Sequence, residues 1–227
     1  MNFECFLFDL DNCLVHYPNF KKFIDINLVK TLKDFMDKIP NKIKRNKIWK
    51  PRSNYNNLLK KWGIIDLDCF WKAYENNGFI YRKKLINSGD IYLYPDVIDV
   101  LTILQENNKK LALVSNSPKH IVEYFVKKFR LSSYFLEIYG IDYAKEPDKA
   151  KPSPQGIELI LDKMEFNPKN YHAIMIGDSV VDIIAAKKAG INACIIKRDL
   201  KKYSDGYKKW KFQPDYVIYQ LNEILAI

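Results

Sequence analysis

Phe6-Leu7-Phe8-Asp9-Leu10-Asp11-Asn12-Cys13-Leu14 is the stretch on which the reading of this chain turns. Phe6 to Phe8 form a short apolar run that reads as a buried strand. Two aspartates, two positions apart, stand where that strand ends. Strand side chains alternate between faces, so carboxylates at i and i+2 are expected on one side. Like charges held that close repel, and both stay ionised only beside a cation. A carboxylate nucleophile with a neighbouring acid/base and a metal needs this arrangement. Asp and Asn are also common turn residues, so a polar turn after an edge strand remains open on this stretch alone.

Outward from there, 227 residues suit one large domain, or a core with a modest insertion. A hydrophobic fraction of 48% supplies a core. Lys plus Arg total 37 against 27 Asp plus Glu, a formal charge of +10. That balance favours anionic partners: phosphorylated metabolites, nucleic acid or an anionic surface. Cys5, Cys13, Cys69 and Cys194 form no CxxC pair and no zinc spacing. Met1-Asn2-Phe3-Glu4 shows no signal peptide, and no apolar run reaches a membrane span. A soluble, reducing, cytoplasmic setting with no membrane partner is expected.

Along the chain, Phe20, Phe23, Ile24, Leu28, Leu32, Phe35 and Ile39 recur at helical spacing, with Pro40 as the expected stop. Lys42 to Arg52 reads as a basic loop. Leu58 to Trp62 reads as a helix stopped by Gly63, and the next helix, capped by Asp66 or Asp68, is expected to end near Gly78. After Gly89, apolar runs at Leu111–Val114, Phe135–Tyr139, Ala173–Ile176, Ala193–Ile196 and Tyr216–Ile218 read as strands. Helical patterns from Tyr94-Pro95-Asp96, Pro118, Pro154 and Val180 alternate with them, and Leu221 to Leu225 closes the chain. The expected fold class is α/β: a parallel-sheet, Rossmann-like core over 1–15 and 91–227 with a small all-helical cap domain over 16–90.

Sites in such sheets form at the carboxyl ends of the strands. Those ends carry Asp9 and Asp11; Ser115-Asn116-Ser117; Lys151-Pro152-Ser153; and Gly177-Asp178-Ser179 with Asp182. Singly, each has an ordinary structural explanation: Ser117-Pro118 and Ser153-Pro154 suit helix starts, and Asp178, Ser179 and Asp182 suit a helix N-terminus. Together, the carboxylates fit a hard cation such as Mg²⁺, while the lysine and donors fit phosphate oxygens.

Asp9-x-Asp11, Ser115-Asn116, Lys151-Pro152 and Gly177-Asp178-Ser179-x-x-Asp182 resemble, in order and context, the four motifs of the haloacid dehalogenase-like superfamily. Tyr94-Pro95-Asp96-Val97 and Ala185 to Gly190 also look like family segments, and the insertion after the first motif is similar to a helical cap. The resemblance implies a Mg²⁺-dependent phosphatase acting on a small phosphorylated metabolite through an aspartyl-phosphate. In that scheme Asp9 is the nucleophile and Asp11 the acid/base. Ser115 and Asn116 hold phosphate, and Lys151 neutralises both the nucleophile and the phosphate. Asp9, the Asp11 carbonyl, Asp178 and Asp182 surround the metal. Cys13 stands where the family usually has Thr, and a thiol is the weaker donor.

Asn12-Cys13-Leu14 also looks like the first motif of pyrimidine 5′-nucleotidase-like members, which puts nucleoside monophosphates first among the substrates, with phosphoglycolate behind. Inorganic pyrophosphatase or phosphomutase activity stays open, whereas Asp11 argues against a dehalogenase. The rival from another class is a catalytically weak nucleic-acid-binding protein. Lys197 to Lys211 holds seven basic residues with Tyr203, Tyr207 and Trp210 among them, a pattern suited to single strands. A solvated basic loop explains that stretch more simply, so nucleic acid ranks behind a small metabolite.

Overall fold

The computed structural model describes residues 3–48, 55–142, 146–167, 172–199 and 206–227. Its contacts separate two compact units, Met1–His16 with Tyr92–Ile227, and Tyr17–Ile91.

The larger unit is built on six strands: β1 (Cys5–Phe8), β4 (Lys110–Pro118), β5 (Glu137–Ile141), β6 (Ala173–Gly177), β7 (Asn192–Ile196) and β8 (Tyr216–Ile218). Their order is β5-β4-β1-β6-β7-β8, and every pairing is parallel. Each crossover carries a helix or a longer connection, as parallel pairing requires: α5 (Val97–Glu106), α6 (Lys119–Lys128), α7 (Gln155–Lys163) and α8 (Val180–Lys188). Alternation sorts the central strand. Cys5 and Leu7 enter a core with Ile157, Ile160, Ile183 and Ala186 from α7 and α8. Phe6 and Phe8 stack on each other from the opposite face, with Phe8 edge-on to Phe135. The chain runs outward from β1 through β4 and β5, then returns to β1's other side at β6. The reversal of strand order therefore falls at β1, and a ligand crevice belongs at its carboxyl end.

A two-stranded antiparallel ribbon, β2 (Val15–His16) with β3 (Tyr92–Leu93), was not foreseen from the sequence. Two residues per strand are too few for a periodic signal. In addition, β4 runs on to Pro118, so Ser115, Asn116 and Ser117 lie in an irregular strand end rather than after it.

The smaller unit is helical: α1 (Phe20–Lys33), α2 (Lys42–Arg45), α3 (Tyr55–Lys61) and α4 (Leu67–Asn87). Two boundaries correct the sequence expectation. α1 stops at Lys33, well before Pro40, although Phe35, Met36 and Ile39 still pack on the helical core from the turns beyond. Hydrophobic spacing reported their burial and not their backbone. α4 runs straight through Gly78 to Asn87. There the glycine acts as a packing contact, because a Cβ would come 2.9 Å from Asn27 Nδ2 and 3.1 Å from Arg82 Nη1. The real stop is Gly89, in the left-handed region at φ +80°. A one-turn helix, α2, occupies part of the expected 42–52 loop; residues 49–52 of that loop lie outside the described residues. Among the described residues, no helix is long and apolar enough to cross a membrane.

Candidate active site

β1 ends at Phe8, so strand alternation does not carry through to Asp11. Asp9 extends the strand by one bond, its N–H donating to Ile176 O at 2.9 Å. The chain then turns. Asn12 takes φ +60°, its N–H donates to Val15 O at 2.7 Å, and the N–H groups of Leu14 and Val15 both donate to Leu10 O. Asn tolerates the left-handed region better than most residues. Asp11 is therefore presented by a closed turn.

Lys151 lies in the connection from β5 to α7, after which the Lys151–Pro152 peptide is cis. Its Nζ donates to Asp9 Oδ1 at 2.7 Å and to Val114 O at 2.7 Å, and lies 2.6 Å from Asp182 Oδ1. Burial would lower this lysine's pKa, but Asp182 and Asp9 outweigh it and hold the ammonium above its ordinary range. Asn116 explains why the lysine is so well placed. Its Nδ2 donates to Lys151 O at 2.8 Å, and its Oδ1 accepts from Lys151 N–H at 2.7 Å. Both ends of the amide thus grip the lysine's own backbone.

Ser115 is 1% exposed, and its Oγ accepts from Ser117 N–H at 3.0 Å. Ser117 Oγ donates to Asp11 Oδ2 at 2.6 Å, while Asp11 Oδ1 is buried and accepts no hydrogen bond. The sequence reading saw Ser117 as a helix start. Its link to Asp11 spans 106 residues and leaves no local signal.

On the far side of β1, Asp178 follows β6 and Asp182 sits in the first turn of α8. Asp182 Oδ2 accepts from Ser179 N–H at 3.0 Å and from Ser179 Oγ at 2.5 Å, a capping box. Gly177 makes room for it, since any Cβ there would overlap the Asp182 carboxyl.

Asp9, Asp178 and Asp182 are all buried, and each offers an oxygen within 4.8 Å of the others. Burial pushes the Asp9 carboxyl well above its usual range; Lys151 opposes this, and Asp182, Asp178 and Asp11 add to it. Three carboxylates gathered beside one lysine leave an excess of negative charge. A hard cation with oxygen ligands fits that excess, and the unpartnered Asp11 Oδ1 fits the same need for an added donor or cation.

All seven residues expected from the sequence thus lie at the carboxyl end of one parallel sheet, and direct contacts join Asp9 to Lys151, Lys151 to Asp182, and Asn116 to Lys151. Fold and site define the class: an α/β protein with a carboxylate–lysine centre at the strand-order reversal. Residues 6–196 match the family described as haloacid dehalogenase-like hydrolase, and the chain belongs to that family. A phosphoglycolate phosphatase of Vibrio vulnificus is 32% identical over 136 residues, 60% of this chain and 56% of that protein. The pyrophosphatase PpaX of Listeria welshimeri is 30% identical over 156 residues, 68% of each chain. A haloacid dehalogenase-like hydrolase structure from Streptococcus pneumoniae shares the fold, with a TM-score of 0.67 at 21% identity over 99% of this chain and 98% of the other. Against the first of these relatives the match spans little more than half the relative's length.

Proposed function

We propose that the protein is a Mg²⁺-dependent phosphatase that hydrolyses a small phosphomonoester through an aspartyl-phosphate on Asp9, with 1–15 and 91–227 as the catalytic core and 16–90 as its cap. The observation that carries this reading is the buried Lys151 ammonium 2.7 Å from Asp9 Oδ1, with two more carboxylates within reach of one cation. Phosphoryl transfer needs positioning and charge neutralisation above all, and these residues supply both. Asp9 and Asp178 would hold the metal, with the Asp11 carbonyl. Asp182 would lie next to the shell, because Ser179 and Lys151 already occupy its oxygens. Bound there, Mg²⁺ would neutralise charge on the phosphate and on Asp9.

The residues then act in two stages. An Asp9 oxygen attacks phosphorus and the bond to the ester oxygen breaks, with Asp11 passing its proton to the departing alkoxide. Asp11, now ionised, takes a proton from water as that water attacks the aspartyl-phosphate, releasing phosphate and restoring Asp9. Ser117 holds Asp11 by its hydroxyl. Ser115 and the main chain of Asn116 meet phosphate oxygens, while the Asn116 amide keeps Lys151 in place.

A phosphoglycolate-like ester is the favoured substrate, on the strength of the relatives' names. Nucleoside monophosphates drop behind it, because Phe70, Trp71 and Tyr74 pack into the helical core and are not free to stack on a base. Pyrophosphate is the second reading, favoured by the longer match to PpaX. The nucleic-acid reading loses Trp210, which packs on the sheet core; residues 200–205 of its basic stretch lie outside the described residues. Four free thiols suit the cytoplasm. Measuring kcat/KM for phosphoglycolate, pyrophosphate, a nucleoside monophosphate, a sugar phosphate and a phosphopeptide tests the assignment. Phosphoglycolate is expected to lead. A pyrophosphate preference of about tenfold, roughly 1.4 kcal/mol of transition-state binding, moves the assignment to the second reading, and a preferred phosphopeptide ends both.

A further inference from the structure

Arg198 follows β7 and plays no part in the chemistry proposed above, yet its side chain is only 8% exposed and each of its three nitrogens donates a hydrogen bond. Nη1 and Nη2 donate to Asp96 Oδ2 and Oδ1 at 2.7 and 2.8 Å, the two parallel bonds that make an arginine–carboxylate pair directional. Nε donates to Cys13 O at 3.2 Å. The guanidinium carbon lies 4.0 Å from the centre of the Tyr94 ring. Asp96 is itself fixed, its Oδ2 also accepting from Leu221 N–H at 2.7 Å. Burial would raise the Asp96 carboxyl, but Arg198 and that N–H outweigh it and hold it below the usual range.

The contact with Cys13 gives this cluster a purpose. Cys13 stands two residues after Asp11 in the closed turn from Leu10 to Val15. Its neighbour Leu14 is held from the same side, its carbonyl accepting from Tyr94 N–H at 3.0 Å. Two successive carbonyls of the Asp11 turn are thus tied to a cluster of Arg198, Tyr94 and Asp96. Besides the Ser117 bond to Asp11 and the β2–β3 pairing, the turn has a weaker tether: the buried Cys13 thiol reaches Ile176 O at 3.6 Å. With a thiol at that position, a larger share of holding the Cys13 end of the turn falls to the arginine.

We infer that Arg198 is a positioning residue: it touches no reacting atom and fixes the turn that presents Asp11. This rests on Asp11 being the acid/base. A lysine cannot replace the arginine, since one ammonium cannot hold both Asp96 oxygens and the Cys13 carbonyl in a planar fork.

The test uses Arg198→Met, Arg198→Lys and Asp96→Asn in the full chain with Cys69→Ser, which removes the exposed thiol. Two readouts are taken: steady-state kinetics on phosphoglycolate, and the rate of Cys13 alkylation by iodoacetamide, located by peptide mass analysis. Arg198→Met is expected to lower kcat by about ten- to a hundredfold, the scale of a slightly misplaced catalytic group, with KM changed less than about threefold. Cys13 alkylation should accelerate at least about tenfold. Arg198→Lys should fall nearer to Met than to wild type, and Asp96→Asn, which spares the Cys13 contact, should fall between. A lower melting temperature with wild-type kcat and a protected Cys13 overturns the inference and makes Arg198 a structural clamp only. If Arg198→Met does not fold, Arg198→Lys and Asp96→Asn decide on the same two criteria. An inactive wild type with fast Cys13 alkylation in the variants breaks the phosphatase reading and leaves the tether standing.

Discussion

Both units of this protein bury polar groups, and they do so in opposite ways. In the helical unit the buried set is largely neutral and bonded within itself, with Asn27 Oδ1 alone among its buried side-chain atoms in the described residues lacking a hydrogen-bond partner. Asn27 Nδ2 donates to Tyr74 O, Thr31 Oγ1 to Asn27 O, and Asn77 Nδ2 to Thr31 Oγ1. The buried cation, Arg82, donates to Tyr17 OH and lies 4.5 Å over the Phe23 ring. Such a network fixes how α1 lies against α4. At the carboxyl ends of β1, β4 and β6 the set is charged and unbalanced, with Asp9, Asp178 and Asp182 gathered about Lys151. A protein that only had to fold gains little from such an arrangement, since uncompensated buried charge is costly. The proposed cation and charged ligand would offset that imbalance.

The sharpest way to break this contrast is Asp9→Asn. An amide of nearly the same shape should fold equally well and lose the nucleophile, lowering kcat by about a thousandfold or more. Turnover above about a tenth of wild type, with deamidation to Asp excluded by mass, would remove Asp9 from the chemistry.

The next test separates the two polar interiors. Adding Mg²⁺ to metal-stripped wild type at about a hundred times its dissociation constant should stabilise the fold by about 2.7 kcal/mol, a rise of roughly 5–10 °C in Tm. Asp178→Asn should abolish that rise. Gly78→Ala, whose Cβ would press on Asn27 and Arg82, should instead cost about 1–3 kcal/mol and leave the Mg²⁺-induced shift intact. A shift that survives Asp178→Asn, or vanishes with Gly78→Ala, would erase the distinction between a receptive site and a structural network.

The smallest expected effect is at Cys13. Cys13→Thr supplies a stronger donor toward Ile176 O in nearly the same volume, so kcat should be unchanged or raised by about twofold. A large loss would give the thiol a role of its own.

The strand ends were legible because burial on both faces writes long apolar runs, and the polar residue that follows each run is conspicuous. Asp9, Ser115 and Asp178 were singled out in that way, Asp182 by its spacing from Asp178, and Lys151 by standing before a helix start. What escaped was long-range or irregular. Ser117 reaches Asp11 across 106 residues, and Arg198 reaches Asp96 across 102. Neither partnership has a local period. Gly78 misled because a glycine in a helical pattern reads as a stop, while its use here is close approach between helices. Phe35 and Ile39 misled in the other direction: they continue the hydrophobic spacing of α1, yet pack from turns beyond its end.

The ribbon of β2 and β3 has an evolutionary consequence. His16 faces Tyr92 across it, their rings stacked 4.6 Å apart, so the chain leaves the larger unit and re-enters it at neighbouring points. Residues 17–91 hang from that stem as a cassette whose two ends are already adjacent. A segment inserted in this way adds only slowly growing loop-closure entropy, whatever its length. It can be lengthened, exchanged for another helical module, or shortened to a two-residue hairpin turn without altering the register of any of the six parallel strands. The stem thereby makes the 75 intervening residues free to diversify at their own rate, while the strand ends that carry the carboxylates and the lysine are held by a different part of the fold.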